Sequence, residues 1–475
     1  MGHDYHWFLW RKFKERMRLT YGNPGAPESK DQLWLCRLLI VCALGETFAN
    51  CQAPAIHLGS SPHPDAVQGA RTQSAPPPPG TAFFEQALVL LKMSYEEPTV
   101  EYIETLNLAT YYSYSLNRKK AAYMYAGMSA RLCNLLRLNQ PPPQSSGSNS
   151  DHEHQKRVCW TSYCLDKMAS SELGLMPSFQ PGQVKLEYPS NNPISPEDAG
   201  QFHEAEFLCA RIQITLLKAE ADVFIDMWQS IRDDISHVER QVQAILAKLH
   251  CWLVELPRQM SFDCESGIPE AMARMPTMRS LASLYLRWYQ CFILLLRPLF
   301  LKRITHILSD EVSLASEKNL LDFSNRCLAS ARTNLCILLG LWRQEQIAVL
   351  TSPLRKAKFG FWDSLHLFSS LTILSLAMTA NRRHPGSFEE RITDLDNYST
   401  ARGLLRELVQ AGNLTSKGHD RMLTDVEGLA DTLGTNPTDG FEPPMEPWGT
   451  DAWIEQMLTL DPASIIFNSL EQNEV

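Results

Sequence analysis

The densest grouping of side chains that could do chemistry is His152, His154, Cys159 and Cys164, all of types that hold metals. Zinc ligands must converge on one point at about 2.0–2.3 Å. If residues 153–172 form one helix, Cys159 and Cys164 lie roughly 140° apart around its axis. They cannot both face one metal from it, so core cysteines beside a polar loop are expected. Cys36, Cys42 and Cys51 match no zinc spacing. Asp233 and Asp234 could serve as paired magnesium carboxylates, but His237 and Gln241 stand where a second metal motif would place Ser or Thr and Glu. A solvated helix face is expected there. The sequence contains no G-x-x-x-x-G-K loop, no G-x-G-x-x-G turn and no G-x-S-x-G elbow. Neither catalysis nor a cofactor is therefore expected of this chain.

Two segments carry charge in patterns that suggest partners. Arg11, Lys12, Lys14, Arg16 and Arg18 fall in one stretch, with Phe8, Leu9, Phe13 and Met17 between them. That reads as a helix with one buried and one solvated basic face; nuclear import and phosphate contact are the alternative uses. The last forty residues, 436–475, contain eight acidic residues and no Lys, Arg or His. Phe441, Trp448, Trp453 and Phe467 are interspersed among them. Charge of this kind keeps aromatic anchors solvated until they dock in a partner's groove, so the tail is a candidate activation segment.

The elements that would position these residues are helical. The chain has 475 residues, 44% of them apolar, enough for a large core. The 12 cysteines sit singly in apolar runs, as small hydrophobes do in a reducing compartment. Net charge is −9 with pI near 5.8, so the overall field does not draw nucleic acid. No apolar stretch reaches membrane-spanning length. Apolar residues recur at helical spacing: Phe84, Leu88, Leu91 and Tyr95, then Ile103, Leu106 and Thr110, then Leu281, Leu284, Tyr285, Trp288, Phe292, Leu295 and Leu299. Helices are expected near 1–20, 31–49 and 153–172. Six more are expected near 200–226, 230–256, 276–300, 312–343, 359–381 and 396–412. Period-two alternation is nearly absent. The fold class is all-α, a large multi-helix bundle of packed antiparallel helices. It is divided into opening helices 1–51, a disordered Pro/Ser/Gly-rich linker 52–80, a main helical domain 81–430 and the acidic tail.

Within the helices, Trp160 and Tyr163 are one turn apart and can bury together. Asp166 follows on the same face and would need a cationic or hydrogen-bonding partner if buried; Arg131 on the preceding helix is the candidate. Arg297-Pro298 should end or kink its helix. Structural roles are expected for all of them.

Three segments together resemble the regulatory domain, or middle homology region, of fungal zinc-binuclear-cluster transcription factors. AAYMYAGMSARLCNLLRLN (121–139) resembles the family's G-x-A-x-R-x-A-x-x-L-G-L helix through Gly127, Ser129, Arg131, Leu136 and Leu138, with Arg137 in place of the usual Gly. KRVCWTSYCLDKMASSELGLMP (156–177) is similar to R-R-x-x-W-x-x-Y-x-x-D-R-x-x-S-x-x-x-G-R-P through Arg157, Trp160, Tyr163, Asp166, Ser170, Gly174 and Pro177. LYLRWYQCFILLLRPLF (284–300) is similar to the family's L-H-x-x-Y-Y-x-x-x-I-L-L-x-R-P and contributes Arg297 and Pro298. The resemblance implies a nuclear regulator of RNA polymerase II transcription. Its implied partners are the transcription machinery or a coactivator, a DNA-binding partner or a second copy of the chain, and DNA. The domain is expected to begin within ten residues of Met1, so the family's six-cysteine zinc cluster is expected to be missing. Zinc and base readout are implied only for that absent module. The alternative is a helical scaffold or small-molecule-sensing protein with no DNA contact of its own.

Overall fold

A computed structural model of the chain describes residues 3–48, 77–92, 97–142, 148–192, 194–230, 235–261, 263–264, 268, 275, 277–309, 317–344, 347 and 361–434. Among the described residues there are thirteen α-helices and no strand. In chain order they are α1 (Trp10–Gly22), α2 (Gln32–Phe48), α3 (Thr81–Leu90), α4 (Val100–Ser115), α5 (Lys119–Leu135), α6 (Asn149–Ser171) and α7 (Ala205–Ser230). Then follow α8 (Ile235–Glu255), α9 (Met278–Leu308), α10 (Lys318–Arg343), α11 (Phe361–Arg383), α12 (Asp394–Gln410) and α13 (Leu414–Gly434). The all-α expectation holds. No helix among the described residues is long and apolar enough to cross a membrane.

The helices pack around two apolar cores. The first gathers residues of α1–α6, among them Trp34, Ile103, Tyr112, Val158 and Leu165. The second gathers α7–α13, with Leu284, Leu295, Leu335, Leu371 and Leu404 at its centre. Helix α7 serves both: Leu208 and Ile212 enter the first core, Ile214 and Phe224 the second. The lobes also meet where the Tyr114 ring packs at a tilt against Phe361 and Trp362, at ring separations of 4.8 and 5.1 Å.

Local chemistry sets the helix ends. Ser148 caps α6, its Oγ accepting from Asp151 N at 3.1 Å, and the Asp151 carboxylate complements the helix dipole. The helix therefore starts at Asn149 rather than near 153. Helices α4 and α5 each end with a left-handed residue, Asn117 at φ 54° and Arg137 at φ 56°. In both, the next N–H reaches back to a carbonyl in the last turn, Arg118 N to Ser113 O at 2.9 Å and Leu138 N to Cys133 O at 2.8 Å. Gly80, at φ 82°, opens α3 so close to α2 that a Cβ would overlap the Ala43 backbone. Residues 77–80 of the expected linker are thus fixed against the first core, and Gly80 N donates to Glu46 Oε2 at 2.6 Å. Residues 52–76 lie outside the described residues.

Three expectations need correction. The first helix starts at Trp10, not at the first residue: residues 3–9 run without helix, and Asp4 through Leu9 are all buried. A helix face can bury only about every third or fourth residue, whereas six consecutive buried residues require an irregular path enclosed on every side. This strap crosses between the lobes, with His3 N donating to Ser280 Oγ (2.8 Å) and His6 N to Thr161 Oγ1 (3.0 Å). Second, α9 does not stop at Pro298 but continues to Leu308. The proline removes one backbone hydrogen bond, while Leu299, Phe300, Leu301, Ile304 and Ile307 beyond it stay buried in the second core. Third, a helix not expected from the sequence, α13, closes that core with Met422, Leu423 and Val426.

Candidate functional site

Four residues of α6 spaced three apart, Arg157, Trp160, Tyr163 and Asp166, form a spine that winds half a turn around the helix axis, since each step of three residues drifts by about 60°. They hold the irregular segment that leads from α6 to α7. Asp166 accepts from Ser178 N (3.1 Å) and Phe179 N (2.9 Å). The Tyr163 ring lies 5.6 Å from that of Phe179. Trp160 Nε1 donates to Glu187 O at 3.0 Å. Arg157 donates to Asn191 Oδ1 (2.7 Å), Ser190 O (3.2 Å) and His203 O (2.7 Å). Reading down the helix thus meets the segment in reverse order, so the segment runs back along α6, latched every turn. Trp160 and Tyr163 meet edge to face at 5.5 Å.

Arg157 is the strongest latch. It is 1% exposed and its Nε donates to Glu153 Oε1 at 2.8 Å. The same carboxylate oxygen accepts from Ser190 N at 2.9 Å, and Phe202 stacks 4.9 Å from the guanidinium. A buried ion pair needs such extra hydrogen bonds to be tolerable. At the other end, Gly174 turns the chain at φ 60° and Pro177 follows, half-buried. Asp166 is pushed up by burial, and the two backbone donors oppose that shift. Its partners are these N–H groups, not the expected Arg131, which is exposed. Arg131 instead lies along Gly127: a Cβ on Gly127 would sit 3.5 Å from Arg131 Nη1 and 3.0 Å from Ser178 Oγ. Gly127 therefore lets the segment approach α5. Arg297 and Pro298 are half-buried on α9 and take no part in this spine. Phe441, Trp448, Trp453 and Phe467 lie outside the described residues, as do Asp233 and Asp234.

His154, Cys159 and Cys164 face different neighbours. Cys159 lies against Cys133 of α5, and Cys164 against Thr215 of α7. His154 joins a buried polar chain: Nε2 meets Glu104 Oε1 at 3.2 Å, Nδ1 meets His6 Nε2 at 2.9 Å, and Arg37 pairs with the other oxygen of Glu104. Among the described residues no group of three His, Cys, Asp or Glu could hold a metal. In the basic stretch, Arg16 is committed to Asp31 (2.6 Å) and Glu101 (3.4 Å) and stacks on Trp34, while Arg11, Lys12, Lys14 and Arg18 face solvent.

A small cavity lies between the lobes. Its wall takes Lys167 from α6, Arg211 and Lys218 from α7, Arg287 from α9 and Trp362 from α11. These positions are scattered over nearly two hundred residues, so no local motif could have announced them.

A family profile described as fungal specific transcription factor domain matches residues 9–253, and the chain belongs to that family. The match takes in the α6 spine and ends before the third resembling segment at 284–300. The regulatory protein of thiamine-repressible genes, thi1, of Schizosaccharomyces pombe is 22% identical over 274 residues, 58% of this chain and 32% of that protein. An uncharacterized transcriptional regulatory protein of the same yeast is 20% identical over 370 residues, 77% of this chain and 41% of the relative. The chain thus spans about a third to two-fifths of the length of these relatives. Both are transcription regulators by name. No solved structure matches the chain significantly.

Proposed function

We propose that this chain is the helical regulatory body of a fungal transcription regulator acting in the nucleus on RNA polymerase II genes. The observation that carries the reading is the family match over residues 9–253. The two named regulators similar to the chain support it. On this reading the α6 spine is scaffolding: it fixes the segment between α6 and α7 and thereby the seat of α7, the helix shared by both cores. The acidic tail with Phe441, Trp448, Trp453 and Phe467 is the segment that contacts a coactivator. DNA is reached through a zinc-cluster module or a DNA-binding partner, as the family resemblance implies.

The test fuses the full chain to a foreign DNA-binding domain and reads a reporter in a fungal cell. Activation several-fold above the DNA-binding domain alone is expected. Trp448→Ala with Trp453→Ala should remove most of it. A fusion that is expressed, enters the nucleus and leaves the reporter unchanged would sink the activation role, as would full activity in the double variant.

A further inference from the structure

We propose that the cavity between the lobes binds a compact anion, a carboxylate or a phosphate, held by Arg211 and Arg287, with the Lys218–Asp222 pair at its mouth. The proposal goes beyond the transcription reading and does not rest on it. The cavity volume is about 50 Å³. One water needs roughly 10–15 Å³ of such space, so the cavity has room for a carboxylate or phosphate head. Its wall carries four cationic residues and two acidic ones: Lys167, Arg211, Lys218 and Arg287 against Glu172 and Asp222.

The acidic residues are already engaged. Asp222 holds Lys218 at 2.9 Å, and Glu172 faces Lys119 at 3.4 Å. Lys167 is used by the Phe179 carbonyl at 2.9 Å. The arginines are not so matched. Arg211 is 2% exposed, and its Nη2 meets Tyr5 Oη and lies 3.8 Å from the Met168 sulfur. Its Nε and Nη1 are buried without a hydrogen-bond partner. Burial disfavours its charge, but Tyr5 and Asp4 outweigh that and raise its pKa, so it stays a cation. The Arg287 guanidinium rests 4.8 Å over the Trp362 ring, and its Nε is likewise buried and unpartnered. Buried N–H groups of a charged donor left without acceptors are strongly unfavourable. A guanidinium presents its donors as a planar fork that suits two oxygens of one anion. Lys218 and Asp222 are 29% and 30% exposed and mark the mouth, through which the rest of a larger molecule could extend. Because the wall comes from α6, α7, α9 and α11, a bound anion would tie the two lobes together.

The experiment titrates the full chain with sodium phosphate, sodium succinate and sodium chloride at matched ionic strength and follows the unfolding temperature. A ligand that binds only the folded chain raises it saturably. A saturable rise with phosphate or with succinate, absent with chloride, is expected, and the effective salt identifies the class. Arg287→Met should weaken the response at least tenfold, and Lys218→Met several-fold, because it leaves the Asp222 carboxylate uncompensated at the mouth. No rise beyond chloride with either salt would overturn the proposal, and so would a rise retained in full by both variants. If Arg287→Met does not fold, the wild-type titration and Lys218→Met decide.

Discussion

Replacing Arg157 by Met should unlatch the segment between α6 and α7 and weaken the whole chain by about 3 kcal/mol. The figure follows from what the side chain leaves behind. Removing one partner of a buried ion pair typically destabilises by about 3–5 kcal/mol. Glu153, 1% exposed, would keep Ser190 N at 2.9 Å and Lys156 Nζ at 2.7 Å, which places the effect at the lower end. The acceptors Asn191 and His203 are exposed and can turn to water, so they add little. Methionine retains the packing on Phe202, so a lost cavity does not confuse the result. Urea unfolding measures the total. Trypsin cleavage after Lys185, an exposed residue inside the latched segment, measures the local release and should quicken at least tenfold. Glu153→Gln combined with Arg157→Met should be milder than the sum of the single changes, because the uncompensated carboxylate is then gone. A loss below about 1 kcal/mol with unchanged cleavage would refute the view that α6 holds this segment through Arg157.

Other expectations concern backbone geometry and pH. Arg137 sits at φ 56° where the family's motif carries glycine, so Arg137→Gly should stabilise by up to about 1 kcal/mol in urea titrations. Gly80→Ala should do the opposite, by roughly 2 kcal/mol or more, since it combines a left-handed φ with a clash against the Ala43 backbone. His6, His366 and His419 are buried, and burial is the first cause that lowers each: His366 and His419 to about 3, His6 well below its ordinary value. Cationic Arg279 and Arg211 add to the effect at His366, Lys119 at His419 and Arg157 at His6. These folded imidazoles stay neutral while the unfolded ones take up a proton near pH 6.5. Stability is therefore full above pH 6.5 and falls as pH drops toward the folded values, by about 1.4 kcal/mol per pH unit for each group. Urea midpoints between pH 7.5 and 5 should show this, and His419→Gln should flatten the slope; a pH-independent midpoint would contradict it.

The sequence by itself determined the all-α class and most of the helices, because an apolar stripe at a 3.6-residue period can be buried in only one way. Leu281 through Leu299 and Tyr163 beside Trp160 are such cases. It also marked the residues of the α6 spine, which recur about once per helical turn. Where burial is not periodic, the pattern was silent. The strap is buried from Asp4 to Leu9 whatever the residue type, with Asp4 and His6 enclosed beside Tyr5, Trp7, Phe8 and Leu9, so no burial period distinguishes it from the helix that follows. Helix α13 hides its face among Gly418, Gly428 and polar residues. Pro298 reads as a helix end or a kink, and the helix runs on through it because packing against the second core outweighs one lost hydrogen bond. Tertiary structure alone decided which atoms answer Asp166, since backbone N–H groups carry no sequence signature. It alone brought Arg211, Arg287 and Lys218 to one cavity. Their proximity arises from the meeting of two lobes, and long-range packing leaves no trace in local spacing.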